Sequence, residues 1–319
     1  MSLRIGVVMD PLAGIKPAKD TTLAIMLAAQ RRGWELFEIH AHELALGADG
    51  VSAPLHQVTV RDSLADWYEV TATLDGYLHE LDAILMRKDP PFDMDYVYST
   101  YLLEHVEAAG TPVINHPRAL RDANEKLFTR WFPQCCPPTL VSANAQRLRA
   151  FIAEHRDTVV KPLDGMGGSG VFRLGAEDPN IGTALELLTD QYRTPIMAQT
   201  YLPAIREGDK RILLINGEPF EYALARLAQA GDHRANLAAG GGSRAQPLSA
   251  QDRWICEQVG PTLARMGLTF VGLDVIGEAL TEINVTSPTC IREITRDTGA
   301  DAAEPLLDAV AERVAAPTV

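Results

Sequence analysis

The 319-residue chain contains no run of basic residues longer than two, and its 42 acidic residues against 29 basic ones give a net charge of −13. Nonspecific nucleic-acid or anionic-membrane binding needs clustered Lys and Arg, so both are excluded as functions. Long apolar runs are missing as well. The opening "MSLRIGVVMDP" is too short for a signal peptide or a membrane span. Cysteine is scarce, with Cys135, Cys136, Cys256 and Cys290 only, two of them adjacent and none in C-x-x-C spacing. They read as reduced thiols of a cytoplasmic protein, and the sequon at Asn284 then carries no glycan. No G-x-S-x-G elbow occurs, and the eight histidines lack i, i+4 pairing, which removes the usual signals for nucleophilic or zinc catalysis. His40 and His42 alternate at a strand end and read as structural. There is no internal repeat and no low-complexity tract.

What is present begins as strand, helix, strand. "LRIGVVM" is a short apolar run, "DTTLAIMLAAQRRG" has polar caps and a glycine stop, and "WELFEIH" returns as a strand. That order predicts a parallel α/β unit. "LDAILMRKDPPF" reads as a buried strand. The next segment is a helix whose spacing aligns Tyr98, Tyr101, Leu102 and His105, "TPVIN" is a strand, and "LRDANEKLFTRWF" is a helix. Beyond residue 120 hairpins take over. The pair "DKRILLI" and "EPFEYALAR" is joined by Asn216-Gly217, a strong hairpin signal. Residues 229–246 have little periodicity and read as a mobile loop, "QDRWICEQVGPTLARMG" is a helix, and "LTFVGLDVIGEALTEINVTSP" is a second hairpin.

The glycine-rich "KPLDGMGGSG" matches G-x-G-x-x-G at Gly165, Gly167 and Gly170. A dinucleotide loop needs a helix next, and "GVFRL" is a strand. The Walker and kinase readings fail too, because no Lys-Ser/Thr or strand-lysine context follows. Two readings stay open: a flexible phosphate cradle between antiparallel strands with Lys161 at its base, or an ordinary long hairpin turn. In the second hairpin, a turn about residues 277–279 pairs positions summing to 556. Asp274 then lies opposite Glu282 and Gly272 opposite Asn284, so the three oxygen-bearing side chains share one face. Leu273, Val275, Ile283 and Val285 take the other. Hard oxygen donors beside a glycine suit Mg²⁺ on nucleotide phosphates. The bland alternative is a solvated sheet face, where Asp and Asn are disfavoured by propensity.

Six ordered segments together resemble the prokaryotic glutathione synthetases of the ATP-grasp superfamily: "MRKDPPFD", "LRDANEKLF", "KPLDGMGG", "YLPAIREGDKRIL", "NLAAGG" and "LTEINVTSPTCIREI". Residues 44–81 and the tail after Ile294 carry no motif of this kind. The resemblance implies an α/β (α+β) fold in three parts: an N-terminal parallel α/β domain (1–120), a small lid domain (121–200) and a C-terminal antiparallel-sheet domain (201–319). It implies ligation of γ-glutamylcysteine to glycine through an acyl phosphate, with ATP cleaved to ADP and phosphate. It further implies Mg²⁺ or Mn²⁺ on Asp274, Glu282 and Asn284, and a homotetramer.

By the same resemblance Lys126, Lys161, Gly165, Gly167 and Gly168 would hold the ATP phosphates, Gln199 and Leu202 the adenine, and Asp209 the ribose. Arg211 and Arg226 lie on paired strands and would face the substrate carboxylate and the acyl phosphate. The alternative for them is a charged cross-strand face. Arg234, inside a glycine-rich loop over 226–242, would close over the site. Thr286, Ser287, Pro288 and Thr289 would shape the peptide pocket, and Arg292 would bind a carboxylate. Two rivals remain at this stage, a ligase adding glutamate to a peptide and a nucleotide-binding module without turnover.

Overall fold

A computed structural model describes residues 2–165, 168–227 and 242–316. In chain order the first part contains β1 (Arg4–Met9), α1 (Thr21–Arg31), β2 (Glu35–His40), β3 (Ala45–Gly47), β4 (Gly50–Val60), β5 (Tyr68–Tyr77), β6 (Ala83–Met86), α2 (Met94–Ala108), β7 (Val113–Ile114) and α3 (Pro117–Asp122). β2, β1, β6 and β7 run parallel, with β4 and then β5 added antiparallel at one side. Asp20 caps α1 by accepting from the Leu23 N–H. Its apolar face, Leu23, Ile25 and Met26, is buried against the sheet and the C-terminal helix.

The middle part contains β8 (Thr139–Ser142), α4 (Ala145–His155), β9 (Asp157–Pro162), β10 (Phe172–Gly175), α5 (Ile181–Leu188) and β11 (Ile196–Thr200). These strands form a four-stranded sheet in the order β10-β9-β11-β8 over its own small core. The last part contains β12 (Asp209–Ile215), β13 (Glu218–Arg226), β14 (Ser243–Pro247), α6 (Ala250–Arg265), β15 (Phe270–Ile276), β16 (Ala279–Asn284), α7 (Ile291–Thr298) and α8 (Ala303–Ala315). Its five strands are antiparallel in the order β14-β13-β12-β15-β16. A buried amide joins the first and last sheets: Asn115 donates to the Phe270 and Val285 carbonyls and accepts from the Phe270 N–H.

Two expectations are corrected, and two segments gain detail. The helix read over 120–132 is broken, because α3 ends at Asp122 and a 3-10 turn starts at Leu127. Asn124 causes the break, its Oδ1 accepting from the Lys126 and Leu127 N–H groups. The helix expected there is α2, though of the aligned set only Leu102 packs on the core. Tyr98 and Tyr101 are exposed, while Tyr96, Leu103 and Val106 are buried. The stretch 44–81, without a recognised motif, is mostly the long β4–β5 hairpin. The loop read over 229–246 ends early, because β14 starts at Ser243 and pairs with β13.

Candidate active site

The predicted cross-strand register is present: Asp274 opposes Glu282 and Gly272 opposes Asn284. The connecting turn, however, holds only two residues, Gly277 and Glu278, and Ile276 pairs with Ala279. A bulge between Asp274 and Val275 absorbs the difference. Thr281 fills it and donates its hydroxyl to the Asp274 carbonyl at 3.0 Å. Leu273, Val275, Ile283 and Val285 are buried on the core side, as alternation requires.

Pairing of β12 with β15 sets Arg211 directly opposite Asp274, and pairing with β13 sets Asp209 opposite Arg226. The face therefore carries a tight row of charge. Arg211 grips Asp274 with Nε at 2.5 Å and Nη2 at 3.0 Å, and Arg226 Nη2 lies 2.9 Å from the same carboxylate. Arg226 also donates to both oxygens of Asp209. Burial opposes ionisation of Asp274, but the two guanidiniums overcome it and hold this carboxyl far below the usual range. Burial works against the charge on Arg226 too; the Asp274 and Asp209 carboxylates more than offset it and raise its pKa. For Asp209, burial prevails and pushes the carboxyl up. Gly272 is required here, since a Cβ would sit 2.8 Å from Arg211 Cδ and 3.1 Å from Pro288 Cβ.

Two buried lysines reach the same face from other elements. Lys126 leaves the broken helix beside Asn124, whose Nδ2 donates to the Leu163 carbonyl, and the Glu125 carbonyl accepts from the Ile283 N–H. Lys126 Nζ thereby contacts Glu125, donates to the Gly165 carbonyl at 2.5 Å and lies 3.6 Å from Glu282. Lys161 Nζ, from β9, is also 3.6 Å from Glu282. Burial lowers the Lys161 ammonium, whereas around Lys126 the pull of burial is outweighed by Glu282 and Glu125, which raise it. The glycine loop after β9 returns as antiparallel β10. Gly168 and Gly170 hold positive φ, and a Cβ on Gly165 would meet Pro162 Cγ at 2.7 Å.

All of this opens onto one cleft of about 1070 Å³ lined by all three sheets. Lys126, Lys161, Gly165, Gly168, Gln199, Leu202, Asp209, Arg211, Arg226, Asp274, Glu282, Asn284, Thr286, Ser287, Pro288 and Thr289 line it. Arg292 does not: its guanidinium is tied to the Pro17 carbonyl and the Asp62 carboxylate. Gly167 and Arg234 lie outside the described residues.

The cleft also holds residues not singled out from the sequence, above all Arg87. Its side chain is buried, Nε donating to Thr22 Oγ1 and Nη2 to the Pro288 carbonyl, while Nη1 has no partner among the described residues. The signal was available, because Arg87 stands inside "MRKDPPFD". Asp20 and Thr22, which flank it from α1, carried no signal beyond helix capping.

A sequence model described as "Prokaryotic glutathione synthetase, N-terminal domain" matches residues 3–121, and one described as "Prokaryotic glutathione synthetase, ATP-grasp domain" matches residues 125–299. The chain belongs to the prokaryotic glutathione synthetase family. Curated glutathione synthetases from Pseudomonas syringae pv. tomato and Pseudomonas aeruginosa are each 55% identical over 316 residues, covering 99% of this chain and 99% and 100% of theirs. One from Escherichia coli O6:H1 is 50% identical over 312 residues, covering 98% of this chain and 99% of its own. Among solved structures, a D-cycloserine synthetase superposes with a TM-score of 0.69 at 18% identity over 98% of this chain and 99% of that one. An ATP-grasp ligase complexed with a minimal precursor gives 0.65 at 20% identity, over 97% and 99%. These two share the ATP-grasp fold with this member of the glutathione synthetase family.

Proposed function

We infer that the cleft joins γ-glutamylcysteine to glycine by way of an acyl phosphate, with ATP split to ADP and phosphate. That the chain is an ATP-dependent ligase making glutathione follows from its family and from full-length glutathione synthetase relatives at 55% identity. This displaces both rivals, the glutamate-adding ligase and the module without turnover. The observation that carries the residue roles is the row Arg211, Asp274 and Glu282, met by Lys126 and Lys161 in one cleft.

A carboxylate is a poor acyl donor, so its oxygen must first be made a leaving group. Transfer of the γ-phosphoryl group to the dipeptide's cysteinyl carboxylate does this, and glycine's amine then displaces phosphate. Both steps shift negative charge among oxygens, and fixed cations stabilise such charge without reorganising. Arg211 and Arg226 are fixed by Asp274 and Asp209, and they would face the acyl phosphate. Lys126, Lys161 and the amides of the glycine loop would hold the ATP phosphates. Gln199 and Leu202 would border the adenine. Asp209 would reach the ribose only with the oxygen capacity left over from Arg226. Thr286 to Thr289 would shape the dipeptide pocket, and the unpartnered Nη1 of Arg87 fits one of its carboxylates. Domain limits near 120 and 200, between the sheets, accord with this division.

The donor set fits a hard divalent cation. Asp274 is held ionised, Glu282 is a carboxylate, and Asn284 commits its Nδ2 to the Gly272 carbonyl at 3.2 Å, which leaves its oxygen as an acceptor. Mg²⁺ or Mn²⁺ would neutralise the β- and γ-phosphate oxygens there. A cytoplasmic homotetramer completes the proposal. Among the described residues no helix is long and apolar enough to cross a membrane.

Phosphate release with ATP and Mg²⁺, omitting one substrate at a time, tests this reading. Release should require both γ-glutamylcysteine and glycine. Release supported equally by glutamate in place of glycine would overturn the assignment of the amine.

A further inference from the structure

Beside the rim of the cleft, where His40 pairs with the cleft residue Met9, the end of β2 gathers three imidazoles and two carboxylates. Glu38 and His40 project from β2, His42 and Glu43 follow in the turn Ala41–Glu43, and His56 stands opposite Glu38 on β4. None of them lines the cleft. One ligand atom each from His40, His42 and Glu43 lie within 4.8 Å of one another. The His40 ring is 5.7 Å from that of His42, stacked on it, and 5.2 Å from that of His56.

The hydrogen bonding around these rings suggests which nitrogens are free. Glu38 is buried, and its Oε1 accepts from the Leu12 N–H at 2.7 Å and meets His40 Nε2 at 3.2 Å. That carboxylate oxygen can accept only if His40 carries a proton on Nε2. A neutral ring then has its lone pair on Nδ1, which lies 2.9 Å from Glu43 Oε2. That oxygen is shielded from solvent and makes no hydrogen bond among the described residues. Two lone pairs facing each other at this distance repel unless a cation lies between them. A buried carboxylate holding one imidazole nitrogen so that the other is presented to an ion is the usual outer support of a metal-bound histidine. His56 repeats the arrangement: Nδ1 pairs with Thr73 Oγ1 at 3.0 Å, and Nε2 lies 3.8 Å from the same Glu43 oxygen.

We propose that His40, His42, His56 and Glu43 form a second metal site, for a divalent transition ion of the Zn²⁺ class. Three imidazoles and one carboxylate are borderline donors that prefer such ions to Mg²⁺. Tetrahedral bonds of about 2.0–2.2 Å place ligand atoms roughly 3.4 Å apart, so side-chain rotations must draw the rings together, that of His56 from outside the set within 4.8 Å. The site is separate from the oxygen donors of the cleft in both place and chemistry.

The test is a Co²⁺ titration of the chelator-dialysed full chain in excess Mg²⁺, which keeps Co²⁺ off the oxygen donors of the cleft. Uptake of one equivalent with the intense visible absorption of tetrahedral cobalt, abolished by added Zn²⁺, is expected. His42→Ala and His56→Ala should each weaken binding at least about tenfold. Because His42 is exposed, its substitution should leave the melting temperature of the metal-free protein unchanged. Absence of tetrahedral cobalt, or a spectrum indifferent to both substitutions, would overturn the site. An imidazolium at His40 bridging Glu38 and Glu43 would then account for the cluster.

Discussion

At the scale of single residues, Asp274 is a countercharge as well as a candidate metal ligand. Two buried guanidiniums depend on it, and removing one partner of a buried ion pair leaves the other charge uncompensated. Asp274→Asn is therefore expected to cost about 3–5 kcal/mol of stability, read by urea unfolding. It should also lower phosphate release by a factor on the order of 10³. Full stability in this variant would mean that Arg211 and Arg226 find other partners. Arg87 gives a different signature. Its free Nη1 is assigned to a substrate carboxylate, and hydrogen bonds to charged groups contribute about 1.5–3 kcal/mol. Arg87→Met should raise the KM for γ-glutamylcysteine at least about tenfold and leave the KM for ATP unchanged. Equal change in both would place Arg87 in the scaffold.

At the scale of elements, the two hairpins of the last sheet were legible, for different reasons. Asn216-Gly217 is a turn signal in itself, and both residues adopt positive φ. The β15–β16 register was right at Asp274 and Glu282 although the turn is a residue tighter than read, because the bulge at Thr281 restores the pairing. Bulges leave no mark in an alternation pattern. The buried face of α2 is not legible in the spacing, because that helix carries aromatics on both sides. Tyr96 packs inward, while Tyr101 stays exposed with the Arg121 guanidinium 4.1 Å from its ring centre. On β4, Val51, Ala53 and Leu55 do alternate, but Pro54 between them and the bulge at Gln57–Val58 obscure the strand. The charged row of the site could be placed on one face from spacing. The partner of each charge could not, since Lys126 and Arg87 arrive from distant segments.

One contact between elements gives a sharp expectation. α6 crosses the β12–β13 turn at Gly260, where a Cβ would stand 2.1 Å from the Gly217 carbonyl oxygen. Gly260→Ala must push the helix off the sheet, with a cost of about 1–3 kcal/mol or more. Thermal melting should show the loss, while activity per folded molecule persists. An unchanged melting temperature would mean that the crossing gives way freely.

At the scale of the whole molecule, the first sheet ends in β5, whose outer edge is unpaired among the described residues and shows exposed Val70 and Leu74. Bare apolar edges invite pairing with another chain. A second copy is the occupant that fits the proposed homotetramer. Light scattering is expected to give four times 34.8 kDa, and Leu74→Lys should reduce that mass. A monomer at working concentration would remove the tetramer from the proposal, leaving the cleft untouched.

The protein's own sulfur also bears on the life it leads among its products. Cys135, Cys256 and Cys290 are buried and Cys136 is partly so, and burial pushes the Cys135 thiol up to about 11 and that of Cys256 to about 12. Exchange with a disulfide needs an accessible thiolate. A catalyst that fills its surroundings with a small reactive thiol, and with that thiol's oxidised dimer, thus offers them nothing to join. Intact-mass measurement after long exposure to oxidised glutathione should find the native chain without adducts. A mixed disulfide on the folded protein would show that these side chains are reached after all.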